Sequence, residues 1–159
     1  MIECLQDSGE PEEATVRLTR GTDYGARGVI YLAKLPANAI ALVGDIAREE
    51  GIPESYLAKI LQDLAKGGIL RSHRGAKGGF SLARPPQEIT LREIVESVEG
   101  PIALSRCLAP FESCDRRETC ALYPVLRHAQ EQLLVTLEGA TLQDMATQEN
   151  ALLRAGGDA

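Results

Sequence analysis

The sequence predicts a mainly α-helical chain with one small β-hairpin, and three observations carry that expectation. Leu57, Ile60, Leu61 and Leu64 fall at helical spacing on one face of the segment IPESYLAKILQDLAKGG. A glycine-rich stretch, RGAKGG, follows it between two short β-prone runs. Leu122, Leu126, Ala129, Leu133 and Leu137 then alternate steps of four and three along a further, long helix. With 159 residues and 44% hydrophobic content, the chain can bury one core, or one compact domain that carries a long appended helix.

Residues 1–15 are acidic, contain Gly and Pro and lack periodicity, which reads as a disordered tail that includes Cys4. The start, MIECLQDSGEPEEA, is acidic where a secretory signal would be basic and then apolar. No apolar run approaches the ~18 residues of a membrane span. A cytoplasmic protein without membrane contact is expected. Order begins in VRLTRGTDYGARGVIYLAKLP, where Thr22 or Asp23 can cap a helix reaching from about residue 23 to residue 35, before the stop at Pro36. A short helix in LVGDIAREEG ends at Gly51. The next begins at once, with Pro53 suited to its first turn and Gly67 and Gly68 to a left-handed stop.

On that helix the face opposite the apolar stripe is Ser55, Lys59, Gln62 and Lys66, with Tyr56 on its flank. Two short helices joined at a glycine, the second with a polar and basic outer face, form the helix-turn-helix pattern. A solvated helix surface would look the same in isolation. The hairpin that follows, Ile69 to His73 and Gly79 to Ala83, carries Arg74 and Lys77 at its tip. In that order the pieces make a winged helix, with a basic finger able to reach the minor groove while the helix occupies the major groove. A phosphate-cradling glycine loop would open into a helix, whereas RGAKGG opens into a strand.

After Pro85 and Pro86, Thr90 and Glu93 stand in capping-box spacing ahead of Ile94, Val95 and Val98, and Gly100 with Pro101 closes that helix. The Leu122/Leu126/Ala129/Leu133/Leu137 stripe either packs on its own domain or pairs with its twin, and pairing is favoured. A capped helix, TLQDMATQEN, precedes a Gly-rich tail. The expected fold is therefore a winged helix-turn-helix domain plus a long C-terminal dimerisation helix. Its parts are a tail over 1–15, the DNA-binding domain over 16–86, a connecting helix and cysteine loop over 87–122, dimerisation and C-terminal helices over 123–150, and a disordered tail over 151–159.

Charge divides along the same line. The net charge is −6, yet residues 17–84 hold eleven Lys and Arg against six Asp and Glu, and the remainder holds six against seventeen. A basic half beside an acidic one points to a polyanion partner, double-stranded DNA, for the first half only.

The stretch CLAPFESCDRRETCALY places Cys107, Cys114 and Cys120, three of the four cysteines, in one irregular loop. In a reducing compartment such clusters bind metal or react more often than they form structural disulfides. Zinc sites usually contain a close Cys-x-x-Cys pair, which is absent here. Wider spacing suits an iron–sulfur cluster, with three ordinary cysteines as the bland alternative.

Together, RLTRGTDYGARGVIYLA, IPESYLAKILQDLAKGGIL, RGAKGGFSLARP, ITLREIVESVEG and the cysteine loop resemble the IscR/NsrR/RirA-like family of winged-helix iron–sulfur regulators, over about residues 16–150. The resemblance implies a homodimeric transcription factor, not an enzyme. It would hold a cluster near the dimer interface and change its binding to a pseudo-palindromic operator with the state of that cluster, sensing nitric oxide, redox or iron status. In the IscR branch a histidine two residues beyond the third cysteine is a cluster ligand; this chain has Tyr123 there. The NsrR branch implies instead an aspartate at the start of the first helix, supplied across the dimer, and the matching residue is Asp23. Without the family, Asp23 reads as a helix N-cap. A four-iron, four-sulfide cluster is favoured, with a two-iron, two-sulfide form as the alternative. Carried over by position, Ser55, Tyr56 and Lys59 would face the major groove and Arg74 the wing contact, with Gln62 and Lys77 beside them. Pro53 and Ala58 stand where IscR has polar side chains, which implies a different preferred sequence. Two rival readings remain: a metal-free or zinc-binding thiol-sensing regulator of the same fold, and an iron–sulfur electron-transfer protein or enzyme.

Overall fold

The computed structural model describes residues 18–75, 78–110, 112 and 114–156. In chain order they form helices α1 (Arg20–Lys34), α2 (Val43–Glu50) and α3 (Glu54–Lys66), strands β1 (Leu70–His73) and β2 (Gly79–Leu82), then α4 (Leu91–Glu99), α5 (Leu122–Gly139) and α6 (Leu142–Gly156). Single 3-10 turns lie at Pro86–Glu88 and Arg106–Leu108. Residues 1–15 and Cys4 lie outside the described residues.

The helix-turn-helix follows from its punctuation. Gly51 ends α2 at φ 64°, a left-handed conformation that glycine adopts without steric cost. Pro53 precedes α3 as its N-cap rather than sitting inside its first turn, and Gly68 supplies the left-handed stop at φ 76°. The α3 stripe is the centre of the core: Leu57, Leu61 and Leu64 are fully buried and Ile60 nearly so. Deleting the side chain of such a leucine typically costs ~2–5 kcal/mol.

Beneath α3 lies α1, and three glycines let α1 approach α3 and α4. A Cβ added at Gly25 would stand 3.1 Å from Ile60 Cγ2, and one at Gly28 would stand 3.2 Å from Leu61 Cδ2. At Gly21 it would meet Val98 Cγ1 of α4 at 3.3 Å. The α1 cap differs from the expected one. Thr19 is the N-cap and its hydroxyl accepts the Thr22 N–H, so α1 begins earlier than residue 23 and Asp23 is left in its first turn. Thr22 is buried, and its hydroxyl bonds the Glu99 carboxylate instead.

The strands pair antiparallel with Leu70 opposite Leu82 and Ser72 opposite Phe80. Phe80 also exchanges two 2.9 Å backbone hydrogen bonds with Ala41, which adds a third short edge to the wing and roots it in the core. Helix α4 carries the expected capping box between Thr90 and Glu93.

The core does not stop at residue 86. Ile89, Ile94 and Leu142 are fully buried with the α3 leucines, and Leu142 N–H bonds the Ile89 carbonyl at 2.8 Å. Helix α6 packs on α1, where Lys34 Nζ and Glu149 Oε2 lie 2.5 Å apart. It runs on to Gly156, so residues 151–156 are helical rather than part of a tail. Helix α5, by contrast, has no fully buried residue.

The joint between α1 and α4 is polar as well as apolar. Glu99 accepts the Thr19 N–H at 3.0 Å and the Thr22 hydroxyl. Partial burial pushes the Glu99 carboxyl upward, but these hydrogen bonds outweigh it and hold the group below the usual glutamate range. A carboxyl whose folded-state value is depressed adds stability above its unfolded value of about 4.3 and loses it as pH falls through the folded value. Glu99→Gln should therefore melt below wild type at pH 7, and the gap should close as pH falls below about 4. Thermal unfolding at matched protein concentration across that range checks this; an unchanged gap would show that the carboxylate form does not matter.

Candidate nucleic-acid interface and cysteine loop

Burying the leucine stripe of α3 turns its other face outward, and Ser55, Tyr56, Lys59 and Gln62 are all exposed. Lys66 pairs with Asp63 at 2.7 Å, while among the described residues Lys59 makes no ion pair. That leaves Lys59 as the cation on this face best able to meet a phosphate or a base edge. Tyr56 is not simply outward. Its ring meets that of Tyr24 edge-on, with centroids 5.7 Å apart, and so it also ties α3 to α1.

On the wing, Arg74 is exposed at the end of β1, and Lys77 lies outside the described residues. Arg71, exposed on β1 opposite Ser81, is a further cation on this element. Its signal was available: a basic residue one position after the buried Leu70 of a strand must point to the opposite face. His73 is occupied within the hairpin, 2.8 Å from Ser81 Oγ.

The three cysteines sit where the chain leaves α4 and enters α5. Cys107 lies in the 3-10 turn, Cys114 is exposed, and Cys120 lies just before α5; all three are free thiols. Leu104 N–H bonds Gln130 Oε1 at 3.0 Å, fastening the start of the loop to α5. Arg117 Nη2 donates to the Cys107 carbonyl at 2.5 Å, and its guanidinium stands 4.9 Å from the centre of the Tyr123 ring.

Asp23 is exposed, next to Thr22, whose hydroxyl reaches Glu99 at the end of α4. Because Thr19 supplies the cap, the Asp23 carboxylate is not used for that purpose; it lies 3.6 Å from Arg27 Nη1. Arg27 Nε reaches Glu50 Oε2 at 3.2 Å, and Arg27 Nη2 donates to the Glu50 carbonyl, the last residue of α2 before the turn. Among the described residues, no three His, Cys, Asp or Glu side chains of one chain are grouped as a single metal ion would need.

Residues 18–148 match the signature of the Rrf2 family, described as an iron-dependent transcriptional regulator. The chain belongs to the Rrf2 family. It is accordingly a transcriptional regulator with a winged-helix fold, in a family of DNA-binding proteins that are typically dimeric and not enzymes. This Rrf2 chain is 35% identical over 131 residues to protein aau3 of Rhizobium meliloti, covering 82% of this chain and 84% of aau3. Its structure is similar to that of CymR, the global cysteine regulator of B. subtilis, with TM-score 0.64, 26% identity, and 84% and 98% of the two chains covered. It is equally similar to T. potens IscR, with TM-score 0.63, 25% identity, and 84% and 88% covered. No helix among the described residues is long and apolar enough to cross a membrane.

Lys59→Ala should lose discrimination at one base pair, costing ~1–3 kcal/mol there, whereas Arg74→Ala should weaken binding, most at A·T-rich flanks if its guanidinium enters the minor groove. Titration of operator and random duplexes separates the two. Equal losses on both duplexes for both variants would mean that neither residue reads sequence.

Proposed function

We propose that two copies of this regulator bind a pseudo-palindromic operator and carry an iron–sulfur cluster on Cys107, Cys114 and Cys120, with the partner subunit's Asp23 as fourth donor. The observation that carries the proposal is three free, unpaired thiols on a loop bordering a helix that its own subunit covers on one side only: α5 packs on α4 with Leu126, Leu133 and Leu137 half-buried, and its other side is bare. Leu122, Val125 and Val135 of α5 are each more than 60% exposed, an apolar load that a second α5 would cover. The donor set fits the group. Thiolates are soft ligands suited to iron–sulfur iron, and a cluster offers separate irons at its corners, so its ligands need not converge on one point. The four-iron form is favoured because three thiols and a carboxylate supply one donor per corner.

When bound, the cluster would supply a centre that reacts with nitric oxide or oxygen or is lost when iron is scarce. The protein's part is to turn loss of one ligand into movement. Asp23 lies on α1 beside Arg27, and Arg27 grips the end of α2. Helix α1 supports α3 through Gly25 and Gly28. Holding or releasing Asp23 would therefore bias where the two reading helices stand, and the operator would bind one arrangement better.

A second reading has its own support. The similarity to CymR, described as a cysteine regulator, and the exposure of Cys114 also suit a thiol sensor without metal or with zinc.

Under the first reading, Cys107→Ala, Cys114→Ala and Cys120→Ala each abolish assembly on anaerobic reconstitution, and Asp23→Ala assembles a cluster but loses it several-fold faster. Visible absorbance follows both. Unchanged cluster lifetime and unchanged operator response in Asp23→Ala would remove Asp23 from the site.

A further inference from the structure

The loop that bears the cysteines is short of internal structure. Among the described residues, its backbone hydrogen bonds from Leu108 to Tyr123 are local turns, such as Leu108 N–H to Ser105 and Thr119 N–H to Arg116 at 3.1 Å. None of them, among the described residues, joins the Cys107 end of the loop to the α5 end. A chain segment of this kind samples many shapes, and a multi-thiol site must select one of them before the first iron binds.

One residue spans that gap. The Arg117 N–H bonds the Cys114 carbonyl at 3.2 Å. Its guanidinium bonds the Cys107 carbonyl at 2.5 Å and lies over the Tyr123 ring at 4.9 Å. Tyr123 in turn donates its N–H to the Cys120 carbonyl at 3.2 Å. The pair thus touches the backbone of all three cysteines through carbonyl oxygens, which leaves the sulfur atoms uncommitted. Among the described residues, Cys107 Sγ bonds Ser105 Oγ at 3.4 Å.

We propose that Arg117 and Tyr123 form a clasp that sets the spacing of Cys107, Cys114 and Cys120, with Tyr123 serving as the seat of the guanidinium and not as an iron donor. The role of the clasp in cluster assembly rests on the iron–sulfur reading above; its closing of the loop does not. Arginine suits the task because its planar fork donates to a carbonyl while its face stacks on a ring, which lysine cannot do. The aromatic ring is the part of Tyr123 that matters, so phenylalanine should replace it and an aliphatic residue should not.

The test uses full-length, reduced protein with Arg117→Ala, Arg117→Lys, Tyr123→Phe and Tyr123→Leu. In metal-free protein held anaerobically, reaction of the thiols with an aromatic disulfide reagent reads loop closure directly. Arg117→Ala and Tyr123→Leu should react roughly threefold or more faster than wild type, Arg117→Lys in between, and Tyr123→Phe at the wild-type rate. Reconstitution with iron and sulfide should then be slower in the first two variants and normal in Tyr123→Phe. Unchanged thiol rates in Arg117→Ala would overturn the clasp. So would a Tyr123→Phe protein that fails to hold a cluster while its thiol rate is normal, since that pattern makes the phenol oxygen a ligand. If wild type assembles no cluster at all, the iron–sulfur reading falls while the thiol rates still judge the clasp.

Discussion

The close approach of α1 to its neighbours is the constraint on which the rest of the structure depends. Gly21, Gly25 and Gly28 repeat at steps of four and three on one face of α1, and a methyl group at any of them would stand 3.1–3.3 Å from Val98, Ile60 or Leu61. Three glycines in one helix cost about 1 kcal/mol each in helix propensity. The return is that the leucine stripe of α3 lies directly on the α1 backbone, with α4 packed beside it. A helix held this closely cannot shift without moving what rests on it, because cores are packed near crystal density. That coupling makes the start of α1 a sensible place for a signal to enter a DNA-reading unit.

The polar contacts around α1 follow the same geometry. Thr19 caps the helix and Thr22 turns inward to Glu99, so both ends of that bond are set by the tight α1–α4 contact. Asp23 faces outward with Arg27, and Arg27 spans to the α2 end at Glu50. On the α3 side, Tyr56 leans on Tyr24. The outward face of α3 and the outward end of α1 are therefore joined by side chains as well as by packing.

Much of this was legible in the sequence because it is local and periodic. The α3 stripe, the Gly51 stop, the capping box of Thr90 and the hairpin all follow rules that operate within a few residues. Long-range choices were less legible. Thr22 and Asp23 are the caps expected from the local pattern, whereas the cap is Thr19, whose N–H is held by Glu99 far along the chain. The Ala41–Phe80 bridge and the docking of α6 on α1 have no local signature either. Helix α6 extends beyond residue 150 because Ala151 to Ala155 is a helix-forming run, although Gly156 and Gly157 beside it give the stretch the composition of a tail. At the site, the exposed face of α3 and the cysteine loop were visible as residues. The engagement of Tyr123 by Arg117 was not, since nothing in the spacing of the two distinguishes a cation–π pair from neighbours on a loop.

In the proposed function, the cysteine loop holds an iron–sulfur cluster whose state is read by the DNA-binding face. Iron, zinc and acid-labile sulfide measured in anaerobically purified protein, with operator affinity determined before and after removal of the metal, test it most directly. The expected result is iron and sulfide in roughly equal amounts, no stoichiometric zinc, and an operator affinity that changes at least several-fold when the cluster is lost. Protein that carries zinc or no metal, or an affinity that is the same with and without the cluster, would contradict it.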